Sequence, residues 1–258
     1  MISAIILAKN EEKNIGECIE ALAFCEEIIV IDDYSSDKTV EIARGLGANI
    51  FQRKLEGNFA SQRNFGLEKA TNKWVLFIDA DERVSKELRD EIEREVVSLN
   101  NPYLGYFFKR DDYIFGKRIK FGETSALFGF NPGAYINKFL RLARRSAGKW
   151  RRPVHEVWEV SGRTKSLKNT LKHYPHQTLR EYISDINFHS DLHAEANYKE
   201  GKRSSLLKIL LWPKLKFLNN YFFRLGLLDG TEGFVLALST SFHSFLAWSK
   251  LWIYQRKN

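Results

Sequence analysis

Cysteine is scarce in this chain, with two in 258 residues, Cys18 and Cys25. Their spacing, inside a stretch of helical apolar periodicity, fits neither a zinc site nor a disulfide framework, so a reducing cytoplasm is the expectation. Long apolar runs are missing as well. No segment offers the roughly 18 uninterrupted apolar residues of a spanning helix. The opening MISAIILAKNEE has no basic n-region and meets acidic residues too early for a signal peptide; it reads as a first buried strand. The turn after that strand, Ala-Lys-Asn-Glu-Glu, lacks the G-x-G-x-x-G of a dinucleotide-binding domain, and its acidic residues would repel a pyrophosphate at a helix N-terminus. A Gly-rich basic loop, the usual mark of a nucleotidyltransferase, is absent from the same place. There is no internal repeat and no low-complexity segment.

What is present is ordinary globular composition, 44% hydrophobic and 28% charged, at a length that allows one large domain or one domain with a substantial appendage. The formal net charge of +8 suits nucleic acid, an anionic membrane surface or phosphorylated substrates, and does not choose among them. The first hundred residues alternate between strand-like and helix-like runs. ISAIILA, EIIVID, NIFQR and KWVLFID read as strands; EEKNIGECIEALA, SDKTVEIARGLG, FASQRNFGLEKA and SKELRDEIEREVVSL read as helices, with Ser36 and Ser85 as N-caps. Such alternation predicts a mostly parallel sheet flanked by helices, with ligands bound outside the carboxyl ends of the strands. Leu7–Asn10, Asp32–Asp33 and Asp79–Asp81 then share one rim. From Pro102 to about Lys172, short aromatic strands (YLGYFFKR, KFLRLARR, VHEVWEV) are expected to extend the sheet and to face a second substrate.

The run WVLFIDADERV ends a buried strand on Asp79 and Asp81, with Glu82 beside them. Crowded carboxylates repel unless something positive lies between them. A Mg²⁺ or Mn²⁺ ion is the simplest occupant for hard oxygen ligands; the plainer alternative is a polar turn whose aspartate caps the next helix.

Four segments in order, AIILAKNEEKNIGECIEAL, EIIVIDDYSSDKTVEIA, FASQRNFGLEKA and WVLFIDADERV, resemble family 2 glycosyltransferases of the GT-A, Rossmann-like fold. RRPVHEVWEV, LKHYPHQTLREYI and LLDGTEGFVLA resemble its branch of lipopolysaccharide-core glucosyltransferases. The resemblance implies an inverting transfer from a nucleotide-sugar, a UDP-hexose, to a lipid-linked glycan. It implies a metal held by Asp81, and by Asp79 directly or through the ribose, with His155 completing the shell or holding the diphosphate. It places Asp33 on the nucleoside base with Asp32 in support, although Tyr34 stands where the family usually has Gly. Arg63, in the Arg-Asn-x-Gly segment, goes to the pyrophosphate or stacks on the base. Leu7 and Ala8 contribute backbone groups to the donor, and Asn10, Glu11 and Ala80 line the same pocket. Glu156 is the candidate general base, with Asp111 and Asp112 in reserve.

On this reading residues 1–175 form the catalytic domain, with the donor half at 1–100 and the acceptor half at 101–175. Residues 176–258 form a helical appendage. From Leu206 onward Lys, Arg and Trp interleave with Leu and Phe, which suits a helix lying in a membrane interface. The same pattern would serve a helical pair packed on its own domain or on another subunit, a homo-oligomer. The expected partners are the nucleotide-sugar, the acceptor glycan and an anionic membrane surface, without nucleic acid. The expected place is the cytoplasm, peripherally on the inner face of the cytoplasmic membrane. The competing readings are a metal-dependent nucleotidyltransferase and a non-catalytic basic adaptor on a transferase fold.

Overall fold

Apolar runs of period two build the first sheet, in which β1 (Ile2–Ala8), β2 (Glu27–Asp32), β3 (Asn49–Gln52) and β4 (Trp74–Asp79) pair in parallel in the order β3-β2-β1-β4. The computed structural model describes residues 1–98, 100–121, 138–153, 156–175 and 177–257. Alternation sends Ile2, Ala4, Ile6, Trp74, Leu76 and Ile78 into one core, shared with α1 (Ile15–Glu20), α2 (Thr39–Gly45) and α4 (Lys86–Val97). Ile5, Val75 and Phe77 enter the opposite core with α3 (Phe59–Lys69). Because both faces are covered, these strands read as continuous apolar runs.

Beyond β4 the sheet becomes mixed. Its path continues through β8 (Lys138–Arg144), β6 (Gly105–Ile114), β11 (Thr164–His173) and β5 (Glu82–Arg83), and the β4–β8, β8–β6 and β11–β5 pairs are antiparallel. The expectation of a mostly parallel sheet therefore holds for the N-terminal half only. Parallel neighbours need a crossover of a dozen or more residues, usually a helix, and among the described residues none stands between α4 and the end of β11. YLGYFFKR and KFLRLARR extend the sheet as expected, whereas VHEVWEV supplies β10 (Val157–Val160). Among the described residues that strand pairs with β9 (Gly148–Arg151) alone, in a separate two-stranded sheet.

Four local features position the site. Ser85 caps α4, its hydroxyl accepting from the Leu88 amide at 3.2 Å. Ser36 does not cap α2: its hydroxyl and amide both donate to Asn10 Oδ1, at 3.2 and 2.8 Å, and the helix opens only at Thr39. Gly66 lets α3 lie close on β1: a Cβ there would sit 2.7 Å from Ile5 Cγ2. Trp150 of β9 and Trp158 of β10 stack on each other at 5.4 Å and meet Phe77 edge-on at 5.1 and 5.0 Å, which ties the small sheet to β4.

The chain separates into two compact units, Met1–Asp111 with Lys138–His173, and Asp112–Asn137 with Tyr174–Asn258. In the second, the end of β6 turns back through Phe115 and Gly116 into β7 (Lys117–Ile119). Its helices are α5 (Leu179–Lys199), α6 (Leu206–Leu218) and α7 (Thr231–Lys257). Thr178 and Glu181 form a reciprocal capping box on α5. A π-type turn, Asn219–Phe223, and a 3₁₀ turn, Gly226–Asp229, join α6 to α7. Gly233 is required there, since a Cβ would lie 1.9 Å from the Gly226 carbonyl oxygen. Asp229 accepts the amides of Lys120 at 3.1 Å and Phe121 at 2.8 Å. Among the described residues no helix is long and apolar enough to cross a membrane.

Candidate active site

Strand register brings the predicted rim together. Ala8 pairs with Asp32 and Leu7 with Asp79, so the carboxyl ends of β1, β2 and β4 lie side by side. The loops after β1 and β2 are laced to each other. The Asp33 amide donates to Ala8 O at 2.9 Å, the Asn10 amide to Ser35 Oγ at 2.9 Å and the Glu11 amide to Thr39 Oγ1 at 2.7 Å. Asn10 and Glu11 thus spend these groups on bracing, and burial pushes the Glu11 carboxyl up, with Asn14 opposing and Asp81 adding to the rise. The turn forms without glycine: Tyr34 takes φ +52° and Asn10 φ +57°, the left-handed region that costs Tyr roughly 1–2 kcal/mol and Asn less.

The paired aspartates divide their work. Asp32 is fully buried and accepts from the Ser35 amide at 3.1 Å and Gln52 Nε2 at 3.1 Å, shaping the turn. Asp33 faces outward. It takes Lys9 Nζ at 2.7 Å and the Leu55 amide at 3.0 Å; burial raises its pKa, but these two donors outweigh that and hold the carboxyl below its ordinary value.

At the end of β4, Asp79 lies between two guanidiniums. Its Oδ1 accepts Arg63 Nη2 at 3.0 Å and its Oδ2 accepts Arg141 Nη2 at 2.6 Å. Burial acts to raise its pKa, and the two arginines, Arg141 first, reverse this and hold it far below the usual carboxylate range. Arg141 Nη2 also donates to Glu82 Oε1 at 3.2 Å, and Arg110 Nη1 stands 3.9 Å from the same oxygen. Glu82 is wholly buried and accepts the Asp79 amide at 2.9 Å; its burial pushes the pKa up against the pull of Arg141. Arg63 lies over the Trp150 ring at 4.8 Å and donates from Nε to Glu156 Oε1 at 2.9 Å, while its buried Nη1 has no hydrogen-bond partner among the described residues. Ala80 is buried, and its carbonyl accepts Arg83 Nη1 at 2.7 Å, a contact that fixes the Asp-x-Asp turn.

Asp81 meets a histidine, but not the expected one. His173 Nε2 lies 3.2 Å from Asp81 Oδ2, placed there because the end of β11 pairs His173 with Glu82. His155 lies outside the described residues. Both oxygens of Asp79 accept from guanidiniums, and Glu156 shares Arg63 with Asp79. Of the reserve bases, Asp111 accepts Thr170 Oγ1 at 2.7 Å, and Asp112 is buried in the second unit. Sequence reasoning missed Arg141 and His173. LKHYPH carried a signal as a quoted motif, and Arg141 stood out only as a charge inside the apolar run KFLRLARR.

Comparison with known proteins decides the family. The profile of glycosyl transferase family 2 matches residues 3–146. The chain belongs to glycosyltransferase family 2. This family 2 protein is 32% identical to the lipopolysaccharide core biosynthesis glycosyltransferase LpsC of Rhizobium meliloti (strain 1021), across 99% of this chain and 92% of the relative. It is 31% identical to the uncharacterized glycosyltransferase RT0209 of Rickettsia typhi, across 97% of this chain and 86% of that one. A crystal structure of glucosyl-3-phosphoglycerate synthase from Mycobacterium tuberculosis in complex with Mn²⁺, UDP and phosphoglyceric acid is similar, at a TM-score of 0.51, 16% identity and 80% coverage of each chain. The fold is GT-A-like: a mixed sheet flanked by helices, with further helices at the C-terminal end.

Proposed function

We propose that this glycosyltransferase moves a hexose, with inversion, from a UDP-sugar to a lipid-linked glycan such as a lipopolysaccharide core, working peripherally at the inner face of the cytoplasmic membrane. The observation that carries the reading is the rim itself. At the end of β4, a carboxylate–imidazole pair (Asp81–His173) adjoins a carboxylate clamped by two buried guanidiniums (Asp79). The similarity to the Rhizobium lipopolysaccharide core biosynthesis glycosyltransferase supports the acceptor class.

Asp81 and His173 fit a divalent cation. A carboxylate oxygen and an imidazole nitrogen 3.2 Å apart can turn to one ion, and the nitrogen favours Mn²⁺ over the more oxygen-demanding Mg²⁺. When bound, the metal supplies Lewis-acid neutralisation of the leaving diphosphate. The remaining chemistry belongs to the chain. Arg63, held over Trp150 and fixed by Asp79 and Glu156, presents positive charge to the diphosphate without first having to reorganise. Asp33 accepts from the base or ribose, Asp32 keeps that turn in shape, and Leu7 and Ala8 offer backbone groups. Glu156, oriented through Oε1 by Arg63, takes the acceptor hydroxyl's proton at Oε2, in the arrangement of a base aimed by a third group.

The test is a thermal-shift screen of nucleotide sugars with and without Mn²⁺. A ligand at about one hundred times its dissociation constant adds roughly 2.7 kcal/mol of stability. Asp81→Asn and His173→Ala are each expected to abolish the Mn²⁺-dependent part of the shift while the protein stays folded. A family of nucleotide sugars that shift nothing, or full transfer activity in EDTA, would overturn the mechanism.

A further inference from the structure

Helix α6 has two apolar faces, and the fold uses one. Toward α7, Pro213 and Asn220 are buried and Ile209 and Phe217 partly so; Ser241 Oγ donates to Pro213 O at 2.7 Å, and Phe217 meets Phe234 edge-on at 5.8 Å. The opposite stripe, spaced i, i+3, i+4, i+8, i+11 and i+15, is Leu207, Leu210, Leu211, Leu215, Leu218 and Phe222, each 43–66% exposed. An ordinary surface helix carries charged and polar groups on that side, yet Lys214 is the polar residue this stripe contains.

We propose that this outward face of α6 docks on a phospholipid bilayer with anionic headgroups, the helix lying flat in the interface; the inference rests on the peripheral reading above and names the surface that would serve it. Three observations select this occupant. Residues 201–228 contain six Lys or Arg and no Asp or Glu, so the charge around the stripe complements an anionic surface. A second copy of the chain is disfavoured by the same composition, because an isologous contact would set this basic stretch against itself with no Asp or Glu within residues 201–228 to pair the cations. Insertion across the bilayer is excluded by length, since 13 residues rise about 20 Å against a hydrocarbon core of about 30 Å. An apolar face bordered by cations on a helix too short to span is the pattern of an interfacial helix. Tryptophan plays less of a part than composition suggests: Trp248 lies under the helix, stacked on Trp212 at 6.4 Å.

The test is flotation of the full chain with vesicles of phosphatidylcholine alone or mixed with phosphatidylglycerol. The wild type is expected to float with the mixed vesicles and to be released by salt. Leu211→Glu/Leu215→Glu, two exposed positions that leave the core intact, is expected to lower partitioning by about tenfold or more per leucine. Lys214→Glu, which keeps the leucines, is expected to lower the anionic preference roughly fivefold or more. Each variant is checked by circular dichroism, sedimentation velocity and the Mn²⁺-dependent nucleotide-sugar shift. A retained donor shift with lost flotation in the variants supports the docking face. A wild type that shows the donor shift but never floats overturns the docking face and leaves the transfer reading standing. A wild-type dimer that Leu211→Glu/Leu215→Glu dissociates overturns it too, in favour of self-association.

Discussion

Replacing Arg141 by methionine keeps much of the side-chain volume and deletes one charge from the densest polar cluster of the first unit. The variant leaves Glu82, wholly buried, with Arg110 at 3.9 Å and the Asp79 amide, and leaves Asp79 with Arg63 alone. Breaking a buried ion pair from one side costs about 3–5 kcal/mol. The lower end applies, since the Asp79 side chain is about a third exposed and keeps one guanidinium. About 3 kcal/mol corresponds to a fall in Tm of roughly 6–12 °C for a protein of this size. The loss also depends on pH. Burial already raises Glu82, and removing Arg141 raises it further, whereas Asp79 starts far below its ordinary value and keeps Arg63. A carboxyl whose folded pKa lies above its unfolded value binds its proton more tightly when folded, so stability falls as pH climbs through that window. The deficit of Arg141→Met should therefore be larger near pH 8 than near pH 5, where protonation relieves the stranded Glu82. Urea unfolding of both proteins at the two pH values measures this directly. A variant within about 0.5 kcal/mol of wild type near pH 8, or a deficit that does not change with pH, would refute the account of Arg141 as the counterion of Asp79 and Glu82.

Glu156→Gln is expected to bind UDP-sugar with near-normal affinity and to lose about 10²–10⁴ in transfer rate; weakened binding with preserved turnover would make Glu156 a holder of Arg63 and not the base. Gly66→Ala forces a Cβ to within 2.7 Å of Ile5 Cγ2; overpacking of about 1–3 kcal/mol, less the helix-propensity gain of about 0.5–1, predicts a net loss of about 1–2 kcal/mol, read from denaturant midpoints. Cys18 and Cys25 are buried, which pushes both thiols well above their ordinary pKa. Since the thiolate is the reactive form, iodoacetamide should label neither until denaturant is added. Mass spectrometry of the native protein checks this, and rapid native labelling would contradict the packing of α1 on the sheet.

The N-terminal half was legible because each of its signals is local. A strand ending in carboxylates, repeated at Asp32–Asp33 and Asp79–Asp81, needs only the parallel register of neighbours to become one rim, and alternation with helices implies that register. Ser85 was legible for the same reason, as a cap adjoining a periodic run. Ser36 failed because Asn10 Oδ1, from the loop after β1, takes its hydroxyl as well as its amide, and the helix opens three residues further on. Arg141 and His173 could not be read from any window. Arg141 reaches Asp79 across a sequence separation of 62, through the antiparallel β4–β8 pairing. His173 reaches Asp81 only because the end of β11 pairs with a two-residue strand immediately after the Asp-x-Asp.

Charge balance then explains why the two aspartates of one motif have different work. Asp79 ends a strand whose odd residues enter the core containing Trp150 and Trp158, and Arg63 is buried over the same ring. A guanidinium taken from water into an aromatic pocket needs acceptors and counter-charge nearby, and Asp79 and Glu156 supply both. Arg141 and Arg110 do the same for Glu82. Three guanidiniums and three carboxylates thus balance within this cluster. Asp81 stands outside that balance. Its partner is an imidazole, which when neutral offers a hydrogen bond but no compensating charge. In the proposed mechanism the divalent cation goes to Asp81 for that reason, and the single residue between the two aspartates separates a neutralised brace from a carboxylate still able to take a metal.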